Sequence, residues 1–157
     1  MKALLDHGVK PNVQTICPEP IHYAARSANP DALKVLLQDK RTNVNALDSF
    51  DRTALHLAVQ YSMKGREEKY DQCIVMLLEC HDLDINKPNK KGYTAIHEAA
   101  NLSMGKKVVE LFLKYRTFDL NLDRHRGNGR TARDVINKKY PELKGLLPEL
   151  KRQRVYD

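Results

Sequence analysis

Between positions 92 and 121 the chain reads GYTAIHEAANLSMGKKVVELFLKYRTFDLN, and its apolar residues fall into two clusters separated by a break. Ile96, Ala99 and Ala100 recur at helical spacing; Val108, Val109, Leu111, Phe112 and Leu113 make the second cluster apolar on most of its surface. Thr94 carries a hydroxyl able to accept the backbone N–H of His97, so the pattern predicts a helix that starts there, after a tight turn in which Gly92 can be left-handed. Ser103, Met104 and Gly105 interrupt the periodicity, and Phe118, Asp119, Leu120 and Asn121 return the chain to an extended segment. Neither helix can bury its apolar face alone, so each pair must stack on a similar pair.

The same template occurs at 52–86, where DRTALHLAVQ leads to CIVMLLECHDLDIN, and at 19–45, where EPIHYAARS leads to ALKVLLQDKRTNVN. The motif histidines His22, His56 and His97 are 34 and 41 residues apart. TALH and TAIH at this spacing resemble the T-P-L-H signature of the ankyrin-repeat family, whose period is about 33 residues. The resemblance implies an all-α solenoid of helix-turn-helix units joined by β-hairpin-like fingers. A single domain then spans 1–157, divided into a partial repeat at 1–12, repeats at 13–45, 46–86 and 87–121, and a degenerate C-terminal cap at 122–157. In the cap, Thr131 and Ala132 open the motif but Arg133 and Asp134 replace its leucine and histidine, and Pro141 breaks the cap into two helical pieces. At the other end, ALLDHG followed by PNV resembles the last helix and exit of a repeat, so Met1 is expected to fall inside a repeat rather than at a domain boundary.

The second repeat departs from the template. His56 precedes Leu77 by 21 residues, whereas His22 precedes Leu36 and His97 precedes Leu111 by 14, so seven residues are inserted within 61–71. A solvated extension of one or both helices is the favoured reading, and a contact loop the alternative. The repeats also end with one extra residue and no glycine turn, as in DKRTNVN, CHDLDIN and YRTFDLN. These endings, with TARDVI running into YPELK, resemble the cytosolic ankyrin region of insect Painless-type channels of the TRPA group. That resemblance implies a fragment of a cation channel lying at the cytosolic face of the plasma membrane, and it carries over no pore or ligand residue.

The remaining chemistry points away from catalysis. No run of about 18 apolar residues and no secretory h-region after Met1 is read in the sequence, and its three cysteines, Cys17, Cys73 and Cys80, form no zinc spacing with the histidines, so a cytoplasmic setting is expected. His22, His56 and His97 each occupy the same place beside a helix start, where the family places a histidine that bonds within and between repeats. Stacked repeats hold such positions about 10 Å apart, too far to share a zinc. No enzyme activity, metal or cofactor is expected. The run GNGRT at 127–131, with Arg124, Arg126 and Arg130 around it, has the look of an anion-binding turn, but a glycine-rich finger tip is the favoured reading.

Charge adds one feature. Residues 122–157 hold ten Lys or Arg against five Asp or Glu, a balance of +5 out of the chain's +7. The basic end is a solvated cap in the first reading, and a site for anionic lipid or an acidic protein segment in the second. The absence of interleaved aromatic residues argues against nucleic acid. By family analogy a protein partner should meet the finger tips (Phe50, Asp51 and Arg52; Asn89, Lys90 and Tyr93; Arg124, His125 and Arg126) and the first helices (Tyr23, Ser27, Leu57, Gln60, Glu98 and Asn101). Thr53, Thr94 and Thr131 join the three histidines as the structural motif.

Overall fold

A computed structural model describes residues 19–62, 67–103, 105–116, 120–124 and 129–148. The partial repeat at 1–12, Cys17, His125, Arg126 and the terminal cations Lys151, Arg152 and Arg154 lie outside the described residues. Helices succeed one another as α1 (Pro20–Arg26), α2 (Pro30–Gln38), α3 (Ala54–Tyr61), α4 (Glu67–Leu78), α5 (Ala95–Asn101), α6 (Lys106–Arg116) and α7 (Ala132–Lys139), ending in a 3-10 turn at Pro141–Leu146. The first helices pack in series, α1 on α3, α3 on α5 and α5 on α7; the second helices pack as α2 on α4 and α4 on α6. Two layers result, with the core between them.

Small and large residues divide the work of packing. Ala24, Ala25, Ala58, Ala99 and Ala100, none more than 4% exposed, let neighbouring first helices approach closely. Ile21, Leu33, Leu36, Leu55, Ile74, Leu77, Ile96, Phe112 and Ile136 fill the layer behind them, and each such side chain contributes about 1.5–3 kcal/mol when fully removed from water. Phe112 is fully buried, whereas Leu111 only borders the core. Helix starts reflect local chemistry: Pro20 and Pro30 occupy first-turn positions where no N–H is needed, and Asn29 Oδ1 accepts the Ala32 N–H at 3.0 Å. Gly105 marks a close approach, since a Cβ there would stand 1.8 Å from the carbonyl oxygen of Ala99.

The insertion of the second repeat lengthens α4 to 12 residues against 9 in α2. It is not merely solvated: Tyr70 is buried, its hydroxyl donates to the carbonyl of Arg26 at 2.7 Å, and Asp71 pairs with Lys107 of the third repeat. The extended helix therefore touches the repeats on both sides.

No strand forms among the described residues; the fingers are turns closed by side chains instead of hairpin ladders. Along the opposite edge the asparagines that end each repeat form a ladder. Asn45 donates to the Asp82 carbonyl at 2.6 Å and accepts the Asp84 N–H at 2.7 Å, and Asn86 accepts the Asn121 N–H at 2.8 Å. Arg116 reaches back to the carbonyls of Leu78 and Cys80 at 3.2 and 3.0 Å. These bonds satisfy orphan carbonyls and amides where no glycine turn does so.

Candidate functional site

The fingers before Thr53 and Thr94 are each organised by one Asx residue five positions before the motif threonine. Asp48 accepts the N–H groups of Phe50 and Arg52, both at 2.9 Å, and its own N–H donates to the Arg52 carbonyl at 3.0 Å. Asn89 repeats this with the N–H groups of Lys91 and Tyr93, at 2.9 and 3.1 Å. The residue before the last finger position is left-handed in every case: Asp51 at φ 56, Gly92 at φ 77 and Gly129 at φ 75. Asp48 escaped the sequence reading; the Asx recurring at the same distance from Thr53 and Thr94 is the signal that identifies it.

Behind the fingers, the motif histidines join one repeat to the next. The backbone N–H groups of Glu19, Thr53 and Thr94 donate to Nδ1 of His22, His56 and His97, at 3.0, 3.2 and 3.4 Å. A backbone N–H can only donate, so each Nδ1 is an acceptor and the ring proton sits on Nε2. Nε2 then donates to the following finger: His22 to the carbonyls of Ala46 and Arg52, His56 to Tyr93 and His97 to Arg124, all at 3.0 Å. The hydroxyls of Thr53 and Thr94 lie 2.9 and 2.7 Å from Nδ1 and donate to it, a bond beyond the capping role expected of them. Burial lowers the pKa of His22 and takes that of His56 down to about 4, against the pull of the carbonyls. In the fourth repeat, Asp134 keeps the cap but cannot bridge: its Oδ2 accepts the Thr131 N–H at 2.9 Å and its N–H donates to Thr131 Oγ1 at 3.1 Å. A carboxylate thus occupies the helix start to which the anion reading of GNGRT assigned the anion.

The expected contact residues are not all on the surface. Phe50 is 60% exposed and Tyr23 54%, and Ser27, Gln60, Lys90, Asn101 and Arg124 are also exposed. Asp51, Arg52, Tyr93 and Glu98 are half-buried. Leu57 is only 2% exposed, a correction to its assignment as a contact residue: at the register of Tyr23 and Glu98 it is apolar, in a helix flanked by α1 and α5, and is withdrawn from water. Asn89 is likewise buried, because its side chain is used up building the finger.

The surface that remains is knit together. The Arg52 guanidinium pairs with Asp48 at 2.7 Å, donates to Gln60 Oε1 at 2.9 Å and lies 4.9 Å above the Phe50 ring. The next finger docks on this one, with the Lys90 N–H donating to the Phe50 carbonyl at 3.1 Å and Lys90 Nζ to the Ser49 carbonyl at 2.7 Å. Burial works to raise the Asp48 pKa, but Arg52 and the two N–H groups hold it below the usual carboxylate range. Glu98 goes the other way: burial pushes its carboxyl up to about 7, although Arg52 and the Asn89 side chain, 2.8 Å from Oε1, oppose this. Among the described residues no group of His, Cys, Asp and Glu could hold a metal ion, and no helix is long and apolar enough to cross a membrane.

The architecture is that of a stacked helix-pair solenoid presenting one face of fingers and first helices. The family model described as ankyrin repeats (3 copies) matches residues 1–80, and the chain belongs to the ankyrin repeat family. Such repeats are protein–protein interaction modules. The crystal structure of the ankyrin repeat protein EF0377 superposes with a TM-score of 0.74 at 26% identity, over 92% of this chain and 71% of that one. Alpha-latrotoxin-Lt1a of Latrodectus tredecimguttatus is 33% identical over 95 residues, and Alpha-latrotoxin-Lhe1a of Latrodectus hesperus 30% over 95. Each alignment covers 60% of this chain and 6% of the toxin.

Proposed function

We propose that the chain is a non-enzymatic adaptor module that docks a segment of a partner protein along the face where its fingers meet its first helices. The observation that carries this reading is Phe50, a large apolar side chain 60% exposed at a finger tip and yet held in place by Arg52 above its ring and by the Lys90 bond to its carbonyl. An ordered aromatic group kept in water is a ready anchor, because its burial against a partner releases apolar surface at little further cost in entropy. Beside it runs a polar strip: Arg26, Gln60, Asn101 and Lys138, each seven residues after the first motif position, are all exposed. Peptides selected from a random library on the full chain should bind Phe50→Ala roughly tenfold or more weakly. Lys34→Ala and Lys114→Ala, on the second helices, should leave binding unchanged. Binders insensitive to Phe50→Ala but lost on the second-helix variants would overturn the reading.

A cytoplasmic setting suits Cys73 and Cys80, both free thiols. The narrower reading of a channel fragment rests on the variant repeat endings and the TARDVI and YPELK cap. It is tested by the coding sequence beyond Asp157, where a channel requires apolar spans of about 20 residues.

A further inference from the structure

Two grips hold Phe50 at its finger tip, and one half-buried side chain, Glu98 of α5, is linked to both. Arg52 lies 4.9 Å above the Phe50 ring, and the Lys90 N–H holds the Phe50 carbonyl. The finger that carries Lys90 is built by Asn89, whose side chain also reaches Glu98. Arg52 and Asp48 act on the same carboxyl from the preceding finger. We propose that docking on Phe50 is coupled to a proton on Glu98: the partner is a segment that carries no charge where it covers that carboxyl, held tightly while Glu98 is protonated and released as it ionises. This coupling rests on the adaptor reading and regulates the same face.

The hydrogen-bond pattern fixes where the proton goes. Asn89 Oδ1 accepts the N–H groups of Lys91 and Tyr93, so the amide must turn Nδ2 towards Glu98, and Nδ2 donates to Oε1 at 2.8 Å. Oε1 is therefore an acceptor whether or not the carboxyl is charged. Oε2 is withdrawn from water and meets no donor, so it is the oxygen that takes the proton. Ionised, it would carry charge with neither water nor an N–H to stabilise it; protonated, it leaves only a neutral group unpaired, which costs less. Arg52, Asn89 and Lys91 favour the ionised form and Asp48 opposes it, yet burial outweighs the first three and pushes the carboxyl up to about 7.

The other elements packed on α5 leave that balance in place. Leu57 on α3 and Val135 on α7 hold the register of Glu98 and are apolar. His56 of α3 and His97 of α5 itself point to the carbonyls of Tyr93 and Arg124. On α6, Lys106 and Lys107 pair with Glu142 and Asp71. The fourth repeat brings Arg130, Asp134, Lys138 and Lys139 to the cleft where α7 meets α5; Asp134 is in the cap of α7, and Lys139 sits on the carbonyls of Ala100 and Leu102 at the far end of α5. A partner seated on Phe50 covers the Arg52 side of the inner face and takes from Glu98 the water its half-burial still allows. Further desolvation favours the neutral carboxyl, so docking draws a proton. A partner cation is disfavoured there, because Arg52 and Lys91 already act on the carboxyl and would repel it.

Peptides selected on the full chain at pH 6, and restricted to sequences without His, test this separately from the adaptor reading. As labelled probes they should bind wild type roughly tenfold more tightly at pH 6 than at pH 8. They should bind Glu98→Gln equally at both, since glutamine keeps an acceptor for Asn89 and carries no charge. In the wild-type complex the Glu98 carboxyl, followed by carbon-detected NMR, should titrate at higher pH than in the free chain, a readout that needs no variant. Peptides lost on Phe50→Ala but bound equally at pH 6 and pH 8, a pH dependence kept by Glu98→Gln, or a carboxyl titration unmoved by the peptide would each overturn the coupling and leave the adaptor reading standing. Affinity that rises with pH, with the carboxyl titrating lower in the complex, would overturn it in favour of a basic partner that pairs with the carboxylate. Selection of no peptide sensitive to Phe50→Ala would overturn the adaptor reading, and the coupling with it.

Discussion

Replacing His56 by Ala tests whether a neutral imidazole ties the second repeat to the third. The ring is 1% exposed and holds three contacts: it accepts the Thr53 N–H and hydroxyl at Nδ1 and donates to the Tyr93 carbonyl at Nε2. Tyr93 keeps the Asn89 N–H at 2.8 Å, so its carbonyl is not orphaned, but the Thr53 N–H loses its side-chain acceptor and a cavity remains. An orphaned buried polar group costs about 1–3 kcal/mol, and with the cavity the loss should reach about 2–4 kcal/mol. That is a large share of the about 5–15 kcal/mol that keeps a domain folded. Acid should produce the same loss in the wild type, since a proton on Nδ1 would set N–H against N–H. The folded pKa of about 4 lies below the ordinary 6.5, so the contribution is complete above pH 6.5. Between pH 6.5 and about 4 the unfolded chain binds the proton first, stability falls as pH falls, and the limit of that loss is about 3 kcal/mol. Urea denaturation of both proteins from pH 8 to pH 4 measures this directly. The stability gap should be widest above pH 6.5 and close towards pH 4. A gap that stays constant across the range would refute the neutral-relay argument, because the ring would then be stabilising through its volume alone.

Three further outcomes rest on the same geometry. Phe112→Ala, at a fully buried position, should cost about 3–5 kcal/mol, while Leu111→Ala, at the border of the core, should cost distinctly less; guanidinium midpoints with equal slopes compare the two. Asp51→Gly should stabilise by about 1 kcal/mol, since Asp51 holds a left-handed φ of 56 where the other fingers use glycine, and Gly92→Ala should destabilise by a similar amount; thermal midpoints measure both. The Glu98 carboxyl should titrate near pH 7 by carbon-detected NMR, and because its folded pKa lies above the ordinary 4.5, its own contribution to stability should be lost as pH rises from 4.5 to about 7, opposite in sign to that of His56; the difference between wild type and Glu98→Gln across that range isolates it.

Local chemistry carried most of the fold. Thr and His beside an alanine-rich helix start, two apolar clusters and a recurring Val-Asn or Ile-Asn are properties of adjacent residues, so the repeats and their helices were legible without coordinates. The insertion at 61–71 was legible as extra length. Its Tyr70, which reaches a carbonyl 44 residues back, was not, because no local pattern encodes the height of the neighbouring repeat. The same limit applies to the surface. Tyr23, Leu57 and Glu98 hold one register of one motif, yet the first is exposed, the second buried and the third half-buried with a raised pKa, since each depends on its own side chain and on the neighbours that stacking brings against it. The sign of the charge at the C-terminal end could be counted along the chain. That Arg133 pairs with Asp123 and Arg52 with Asp48, and that Arg130, Lys138 and Lys139 come to line one cleft, was decided by tertiary structure, because only the folded chain brings those side chains within reach of one another.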